Sequence, residues 1–222
     1  DEELLFARQL GIPCAYTWVS PEQRSYEYLA RLRGRVEHAG LTLHNVGNFH
    51  VGKSDAIHLA LPGRDEKIAE FQDFVRNLGR AGIHVTTFTW EPDAVWSSEP
   101  GQVRGARARR VDLAEMVQRP YTHDRAYSRE ELWENFEYFC RQIIPAAEAV
   151  GLKMALHPDD PPVSPIAGAA CLFRDVASFQ RVLDLVPSPS NGLLFCQGCF
   201  AEMLGEGVYD AIRHFGGQGK VF

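Results

Sequence analysis

Residues 157–162 read His-Pro-Asp-Asp-Pro-Pro, which combines an imidazole with two carboxylates that could bind a metal ion or move protons. They follow directly on residues 152–156, whose Leu-Lys-Met-Ala-Leu sequence is typical of a buried strand. Because α/β folds carry their chemistry at the carboxyl ends of strands, this position predicts a functional site. Neither proline after the carboxylates can continue a sheet ladder, so we expect the chain to leave the sheet there in a stiff loop.

The side chains of this stretch have a functional and a structural interpretation. Asp159 and Asp160 could orient His157 or accept hydrogen bonds from substrate hydroxyls. An aspartate before proline also favours the start of a loop, and a single histidine at a strand end is more often a hydrogen-bonded core or surface group than a ligand. The residues alone leave both interpretations open.

Other strand ends carry candidate binding groups. Trp90 and Trp18 each end a predicted strand, where an aromatic ring could stack on a sugar, and Glu91 could act as a base or accept a hydroxyl. Asn45 lies near the end of a further strand and could contact substrate in the same way. The alternatives are packing at the rim for the aromatic rings and a surface position for the carboxylate.

Helical and strand-like patterns alternate along the chain. Three helical patterns end in a glycine, at Gly40, Gly82 and Gly151, and an apolar strand begins at once. Glycine supplies the left-handed residue that often follows a helix, so each junction looks like the helix-to-strand half of a βαβ unit. Strands are predicted at residues 13–18, 41–46, 83–90, 152–157, 192–196 and from 220 onward. This alternation predicts a parallel sheet with right-handed connections.

Local signals predict where helices begin and which face they bury. Ser20 and Ser128 each precede a Gln or Glu by three residues, a capping box that predicts a helix start. Between residues 65 and 81, apolar side chains recur every three or four positions, which predicts a stripe packed on the sheet. The helix that starts at Ser128 has the same stripe, and Pro145 is expected to kink or restart it.

Six predicted strands fit either an open doubly wound sheet or part of a closed barrel. The chain begins inside a helical pattern at residues 2–10 and stops as a strand starts. One more strand before and one after would make eight, the number in a (β/α)8 or TIM barrel of about 250 residues. We therefore expect residues 1–222 to form a single α/β domain, an incomplete (β/α)8 barrel that lacks strands at one or both ends.

The connection formed by residues 91–127 is far longer than the roughly 2–6 residues that are usual between a strand and a helix. It lies on the functional side of the predicted sheet, so it is a candidate active-site lid, and a short helix is expected near residues 111–117. His123 is a candidate general acid by position and residue type. Charged loop residues are more often only solvated, but four arginines here could attract an acidic substrate. They are Arg104, Arg107, Arg109 and Arg110.

The composition is that of a globular protein, with 45% apolar and 23% charged residues. A net charge of -6 provides no field that would gather nucleic acid or anionic lipid, so the expected partner is a small molecule. No apolar run approaches the roughly 20 residues of a membrane helix, and the acidic start is unlike a signal peptide. Five cysteines are expected to be reduced thiols. These features predict a cytoplasmic protein, and they leave assembly into a homo-oligomer open.

Several blocks of sequence, in the same order, resemble the mannonate dehydratase family. The blocks are residues 61–65, 75–78, 127–135, 154–162, 183–188, 191–193 and Cys196. The resemblance implies a (β/α)8 barrel like that of xylose isomerase. It also implies a divalent metal, commonly Mn²⁺, and the removal of water from D-mannonate to give 2-keto-3-deoxy-D-gluconate.

By motif position, the resemblance implies that His157 and Cys196 are two of the metal ligands. The remaining ligands and most groups for acid–base chemistry are expected beyond Phe222. Mn²⁺ is the expected ion, but a thiolate beside imidazole and carboxylate ligands would also accept Fe²⁺, Co²⁺ or Zn²⁺. Cys196 and Cys199 form a CxxC pair, which without a second such pair is a weak zinc-knuckle signal, and we expect Cys199 to pack beside the site.

Two departures identify the chain as a divergent member. The family usually has Gly-x-Pro-Arg-Ile where residues 168–172 read Gly-Ala-Ala-Cys-Leu, which leaves Arg174 as the nearby arginine for an acidic group. The family tends to have Thr-Gly after the ligand cysteine, whereas this chain has Gln197 and Gly198.

The expected function is metal-dependent dehydration of a sugar acid, D-mannonate or a related aldonate, by a carbon–oxygen lyase. An isomerase or epimerase of the xylose isomerase-like superfamily is the alternative, which the missing arginine favours to some extent. A barrel that binds sugar without turnover is a third hypothesis.

Overall fold

The computed structural model describes residues 2–92 and 96–222. Its strands are β1 (Cys14–Trp18), β2 (Thr42–Gly47), β3 (Val85–Phe88), β4 (Gly101–Val103), β5 (Ala106–Ala108), β6 (Lys153–Leu156) and β7 (Asn191–Leu193). Five of them form a parallel sheet in the order β1-β2-β3-β6-β7, while β4 and β5 pair as an antiparallel hairpin. The last residues also pair with the sheet, because Leu193 donates to the Lys220 carbonyl and accepts from Phe222. The strand predicted from residue 220 is therefore confirmed as an extended segment.

Helices connect the strands and cover the sheet. They are α1 (Glu2–Gln9), α2 (Tyr26–His38), α3 (Phe49–Gly52), α4 (Asp55–His58), α5 (Arg64–Arg80), α6 (Leu113–Met116), α7 (Arg129–Glu148), α8 (Val176–Leu185), α9 (Gln197–Leu204) and α10 (Val208–Gly217), with 3₁₀ turns at Pro21–Gln23 and Gly205–Gly207. The alternation confirms the predicted α/β class. Within residues 2–92 and 96–222 the parallel sheet stays open, as expected of an incomplete barrel.

The apolar stripes predicted for two helices form the centre of the core. In α5, Ile68, Phe71 and Leu78 are buried, and in α7 Phe136 and Phe139 are buried. Phe71 and Phe139 stack with ring centroids 5.8 Å apart, so the two helices share one aromatic layer over the sheet. Pro145 lies within α7, which continues to Glu148 and does not restart.

The capping box predicted at Ser20 is present, but it begins a 3₁₀ turn and not the long helix α2. Ser20 begins the 3₁₀ turn, where Gln23 Oε1 accepts from the Ser20 backbone N–H at 2.9 Å. The Ser20 hydroxyl donates to Glu22 at 2.7 Å. Ser25 is the N-cap of α2, because its hydroxyl accepts from the Tyr28 N–H. The hydroxyl that caps the long helix is therefore five residues later in the chain.

The long connection has more structure than its sequence predicts. Helix α6 lies within the expected range 111–117, but the β4–β5 hairpin was not predicted. Its turn contains Arg104 and Gly105, both with positive φ, as in the two-residue turns that suit a hairpin. Residues 93–95 of this connection lie outside the described residues.

A second small apolar cluster holds this connection against the segment after β6. Met116 packs with Ile166, Ala167 and Cys171. Tyr127 accepts from the Ala170 N–H at 3.1 Å and donates to the Gly168 carbonyl at 2.9 Å. The connection therefore lies over the loop that follows His157.

No helix within the described ranges is long and apolar enough to cross a membrane.

Candidate functional site

The register of the sheet brings three strand ends to one level. Phe88 of β3 pairs with Leu156 of β6, which pairs with Leu193 of β7. The ladder extends by one further bond on each side, because His157 donates to the Phe88 carbonyl and Leu194 donates to the Leu156 carbonyl. Groups that follow these strands are therefore delivered to the same edge of the sheet.

His157, Cys196 and Cys199 converge at this edge. One ligand atom from each of the three side chains lies within 4.8 Å of the others, and the two sulfurs are 3.4 Å apart. Cys196 is the N-cap of α9, so Cys199 lies in the first helical turn and its thiol returns to the same side. The expected pair of ligands is thus accompanied by Cys199, which the sequence analysis placed beside the site. The CxxC spacing is the signal that could have included it.

The imidazole of His157 is held by its own loop. Nδ1 lies 2.6 Å from the Pro158 carbonyl oxygen. A carbonyl oxygen only accepts, so Nδ1 carries the hydrogen and Nε2 of the neutral ring keeps its lone pair for a ligand. Burial lowers the pKa of His157, but bonds to Cys196 and the Pro158 carbonyl, with the charges of Cys196 and Glu91, raise it above its usual value overall.

The two thiols differ in acidity. Cys196 accepts a hydrogen bond from the thiol of Cys199 and is also hydrogen-bonded to His157. These contacts lower the pKa of Cys196 to about 3. The same pairing, together with burial, raises the pKa of Cys199. The pairing therefore favours the thiolate at Cys196 and the thiol at Cys199. The helix N-terminus adds to the stability of the thiolate.

Glu91 is buried and joins three elements. Its Oε2 accepts from Lys53 Nζ at 2.8 Å, and its Oε1 accepts from the Asp160 N–H at 2.7 Å. Glu91 thus connects the end of β3 to Lys53 beyond α3 and to the loop after β6. The surface position considered as the alternative is wrong, since only 6% of the residue is exposed. Sequence reasoning missed Lys53, which no motif marks.

Asp159 is almost completely enclosed. Its Oδ2 accepts from the Phe173 N–H at 2.6 Å, and its N–H donates to the Phe173 carbonyl at 3.1 Å. Oδ1 has no hydrogen-bond partner among residues 2–92 and 96–222. Burial, with the nearby negative charge of Glu91, raises the pKa of Asp159 to about 8. A cavity of about 10 Å³ beside Asp159, Glu91 and Cys171 has room for about one water molecule.

A larger cleft of about 440 Å³ opens beside the thiols. Its volume is in the range of small-molecule sites. Its lining includes Arg109 and Arg110 as well as Cys196, Cys199 and Glu202. Arg109 donates to Asp160 Oδ2 at 3.2 Å, which ties the long connection to the loop after His157. Of the four arginines singled out in the sequence, these two therefore reach the cleft.

Other predicted residues have different surroundings. Trp90 is 1% exposed, and its ring packs edge-on against Phe136 in the core, so the structure places it away from an open rim. Trp18 stacks on Phe49 with ring centroids 3.9 Å apart. Asn45 is buried between strands, where its Nδ2 donates to Thr87 Oγ1 at 2.7 Å.

His123 and Arg174 lie on the segments around the site. His123 Nε2 is 3.4 Å from the Pro92 carbonyl oxygen and 4.0 Å from Asp55 Oδ2, so its ring lies beside the chain that follows Glu91. Arg174 is exposed directly after Phe173, the residue that pairs with Asp159. The structure therefore brings His157, Cys196, Asp160 and Glu91 into one region, with these two at its margin.

The donor atoms of His157, Cys196 and Cys199 suit a divalent transition-metal ion. An imidazole nitrogen and two sulfurs from a strand end and a helix start match the ligand types that such ions take in proteins. The adjoining cleft leaves space on one side for a further ligand or a substrate.

Comparison with known proteins gives a consistent result. The family described as D-mannonate dehydratase (UxuA) matches residues 9–106 and 100–221. Mannonate dehydratase 2 of Halalkalibacterium halodurans is 31% identical, over 88% of this chain and 63% of its own length. The mannonate dehydratase of Lactococcus lactis is 29% identical, over 93% of this chain and 64% of its own length. The chain thus spans somewhat less than two thirds of these relatives.

Solved structures extend the comparison to the fold. Mannonate dehydratase from Streptococcus suis superimposes with a TM-score of 0.85 at 25% identity, covering 98% of this chain and 67% of that protein. D-psicose 3-epimerase from Clostridium cellulolyticum superimposes with a TM-score of 0.66 at 15% identity, covering 99% and 64%. The second likeness shows a shared fold alone.

Proposed function

Since the chain belongs to the D-mannonate dehydratase family, we propose that it takes part in the metal-dependent dehydration of a sugar acid, D-mannonate or a related aldonate, to a 2-keto-3-deoxy acid. The observation that carries the proposal is the convergence of His157, Cys196 and Cys199, since the two cysteines also line a cleft together with Arg109 and Arg110. Metal dependence is general in this family. The choice of Mn²⁺ among divalent ions stays a prediction.

The proposed ligands are His157 and Cys196. His157 would bind through Nε2, because the Pro158 carbonyl holds the hydrogen of Nδ1. Cys196 would bind as the thiolate that the start of α9 and its neighbours favour. When bound, a divalent ion would polarise the oxygens of the acid and stabilise the negative charge that develops as the C2 proton leaves.

Arg109 is the proposed partner of the substrate carboxylate. Its guanidinium lies on the cleft wall, 3.2 Å from Asp160, and the planar fork of arginine matches a carboxylate in two-point binding. Arg110 is engaged by two carboxylates, those of Asp112 and Glu115, whereas Arg109 donates to Asp160. We assign the acid contact to Arg109 because it lines the cleft, in preference to Arg174, which follows Phe173.

Glu91 and Asp159 are proposed to position the loop that carries His157. Glu91 binds the N–H of Asp160, and Asp159 exchanges two hydrogen bonds with Phe173, so the loop is held from both sides. The roles of Glu91, Asp159 and His123 in proton transfer stay predictions, as do substrate contacts of Asp160, Asn45 and Trp90. The closure of the 91–127 connection as a lid and the assembly of the chain into an oligomer likewise stay predictions.

Product analysis tests the proposal. The reduced protein, reconstituted with Mn²⁺ or Zn²⁺, is incubated with D-mannonate, other aldonates and neutral ketoses, and the products are identified by NMR. A 2-keto-3-deoxy acid that disappears in His157→Gln and Cys196→Ser supports the dehydratase. Migration or inversion of a hydroxyl, or sugar binding that needs no metal and gives no product, would contradict it.

A further inference from the structure

The distance between the two sulfurs is close to the distance between two sulfur ligands of one metal ion. Two thiolates at about 2.3 Å from a tetrahedral ion lie about 3.8 Å apart, and a thiolate and an imidazole nitrogen lie about 3.5 Å apart. The observed Sγ–Sγ distance between Cys196 and Cys199 is 3.4 Å, and the third donor atom is within 4.8 Å of both. Movements of a few tenths of an ångström to about one ångström would place all three on one ion.

The position of Cys199 is set by the helix and not by a flexible loop. Cys196 is the N-cap of α9, and its carbonyl accepts from the Phe200 N–H at 3.0 Å. Cys199 is 5% exposed, and the adjacent Phe200 is fully buried in the core. The thiol is thus delivered by an element anchored in the main apolar layer, as a precise ligand requires.

Two of the nearby carboxylates are engaged by cations. Glu91 pairs with Lys53 at 2.8 Å, and Asp160 pairs with Arg109 at 3.2 Å. Oxygen donors are the ligands that Mn²⁺ and Mg²⁺ favour, whereas sulfur favours softer ions. In this region the sulfurs of Cys196 and Cys199 remain available while these two carboxylates already have partners.

We infer that Cys199 is a further protein ligand of the ion held by His157 and Cys196. Its sulfur gives these three residues one nitrogen donor and two sulfur donors, which favour a thiophilic divalent ion such as Zn²⁺. The inference rests on the proposed metal site, and it goes beyond it by assigning Cys199. The remaining positions on the ion, on the side of the cleft, are left for substrate or other donors.

Spectroscopy with Co²⁺ as the probe tests this assignment. The reduced, chelator-treated protein is titrated with Co²⁺, and the absorption from charge transfer between thiolate and Co²⁺ is recorded. In Cys199→Ser we expect this absorption to fall to about half, because one of two thiolates is lost. Cys171→Ala is the matched control, since it removes another buried thiol outside the cluster and should leave the absorption unchanged.

Competition between metals gives a second readout. The ratio of Zn²⁺ to Mn²⁺ affinity is measured with a chromophoric chelator, and in Cys199→Ser it should fall by roughly tenfold or more. Cys199→Asp, which supplies a hard oxygen donor, should bind Mn²⁺ more tightly than Cys199→Ser does. Circular dichroism of each variant confirms that it is folded.

The outcomes separate the two proposals. Full absorption and an unchanged affinity ratio in folded Cys199→Ser would overturn the role of Cys199. If His157→Gln loses metal binding at the same time, the metal site proposed at His157 and Cys196 still stands. If the unaltered protein binds neither Co²⁺ nor Zn²⁺, the metal site itself is wrong, and the inference about Cys199 is overturned with it.

Discussion

The carboxylate of Glu91 accepts a hydrogen bond from the backbone N–H of Asp160 at 2.7 Å, across two adjacent parallel strands. Its other oxygen binds Lys53. The loop that begins at His157 is therefore tied to the end of β3 by a buried charge. The position of the proposed metal ligand depends on this connection.

Replacing Glu91 should destabilise the protein. In Glu91→Gln the ion pair with Lys53 is lost, and Lys53 remains largely buried without its counter-charge. Breaking one partner of such a pair costs about 3–5 kcal/mol when burial is complete, and we expect about 2–4 kcal/mol here. Urea unfolding measures the change. Glu137→Gln, in an exposed pair with Arg141, should cost no more than about 1 kcal/mol. Equal stability of the two variants would contradict the structural role of Glu91.

His58 should make stability depend on pH in the acid range. Burial, and then the charge of Lys53, lowers the pKa of His58 to about 3, from a usual value of 6.5. Below about pH 6.5 the unfolded chain binds a proton that the folded chain does not. The contribution of His58 is therefore full above pH 6.5 and is lost as the pH falls toward 3, by up to about 1.4 kcal/mol per pH unit.

Urea unfolding of His58→Gln between pH 7 and pH 4 tests this expectation. The variant should lose part of the wild-type slope in the free energy of unfolding. His44→Gln, which changes an exposed histidine on β2, should keep that slope. If the free energy of unfolding of His58→Gln keeps the wild-type dependence on pH, His58 binds its proton equally well in the folded and unfolded chains, which would contradict the lowered pKa.

Arg109 should affect the binding of an acidic substrate more than turnover. Loss of a charged hydrogen bond to a carboxylate costs about 1.5–3 kcal/mol, so Arg109→Met should raise KM roughly 10- to 100-fold and change kcat much less. Steady-state kinetics with the active aldonate give both constants. Arg107→Met, on the exposed hairpin, makes the same change in charge and should leave KM nearly unaltered. Similar KM values for both variants would exclude a specific contact.

Trp90 should behave as a core residue. Its ring packs against Phe136 and Phe139 and is 1% exposed, so Trp90→Phe should lower the free energy of unfolding by about 1–2 kcal/mol through lost packing. KM for the substrate should stay within a factor of two or three of the wild-type value. If Trp90→Phe is stable and its KM is greatly raised, the result would contradict a purely structural role and support stacking of Trp90 on the sugar.

Periodic and capping signals predicted most of the architecture. Apolar spacing located α5 and α7, and glycines after the helices located β2, β3 and β6, because these elements are determined by local sequence and one buried face. The β4–β5 hairpin was not predicted, because its strands have three residues each and are largely exposed, and such strands carry no alternating pattern of apolar residues. The sequence did not separate the 3₁₀ turn that Ser20 begins from α2, because Ser25, five residues later, also offers a cap.

The candidate site was predicted in part. Strand ends and the family resemblance pointed to His157 and Cys196, which the structure brings together. Lys53 and the burial of Glu91 were not predictable, because the pair joins residues 38 positions apart in the chain and no motif links them. Cys199 was predicted to pack beside the site and not to be a ligand, because a single CxxC pair is a weak signal. Only the geometry of the first turn of α9 places its thiol beside the other two donors.

X-ray diffraction at the zinc absorption edge, on crystals reconstituted with Zn²⁺, tests the central claim most directly. One anomalous peak is expected within about 2.0–2.3 Å of His157 Nε2 and of the Cys196 and Cys199 sulfurs. A peak elsewhere in the protein, or no peak in crystals soaked with excess Zn²⁺, would contradict it.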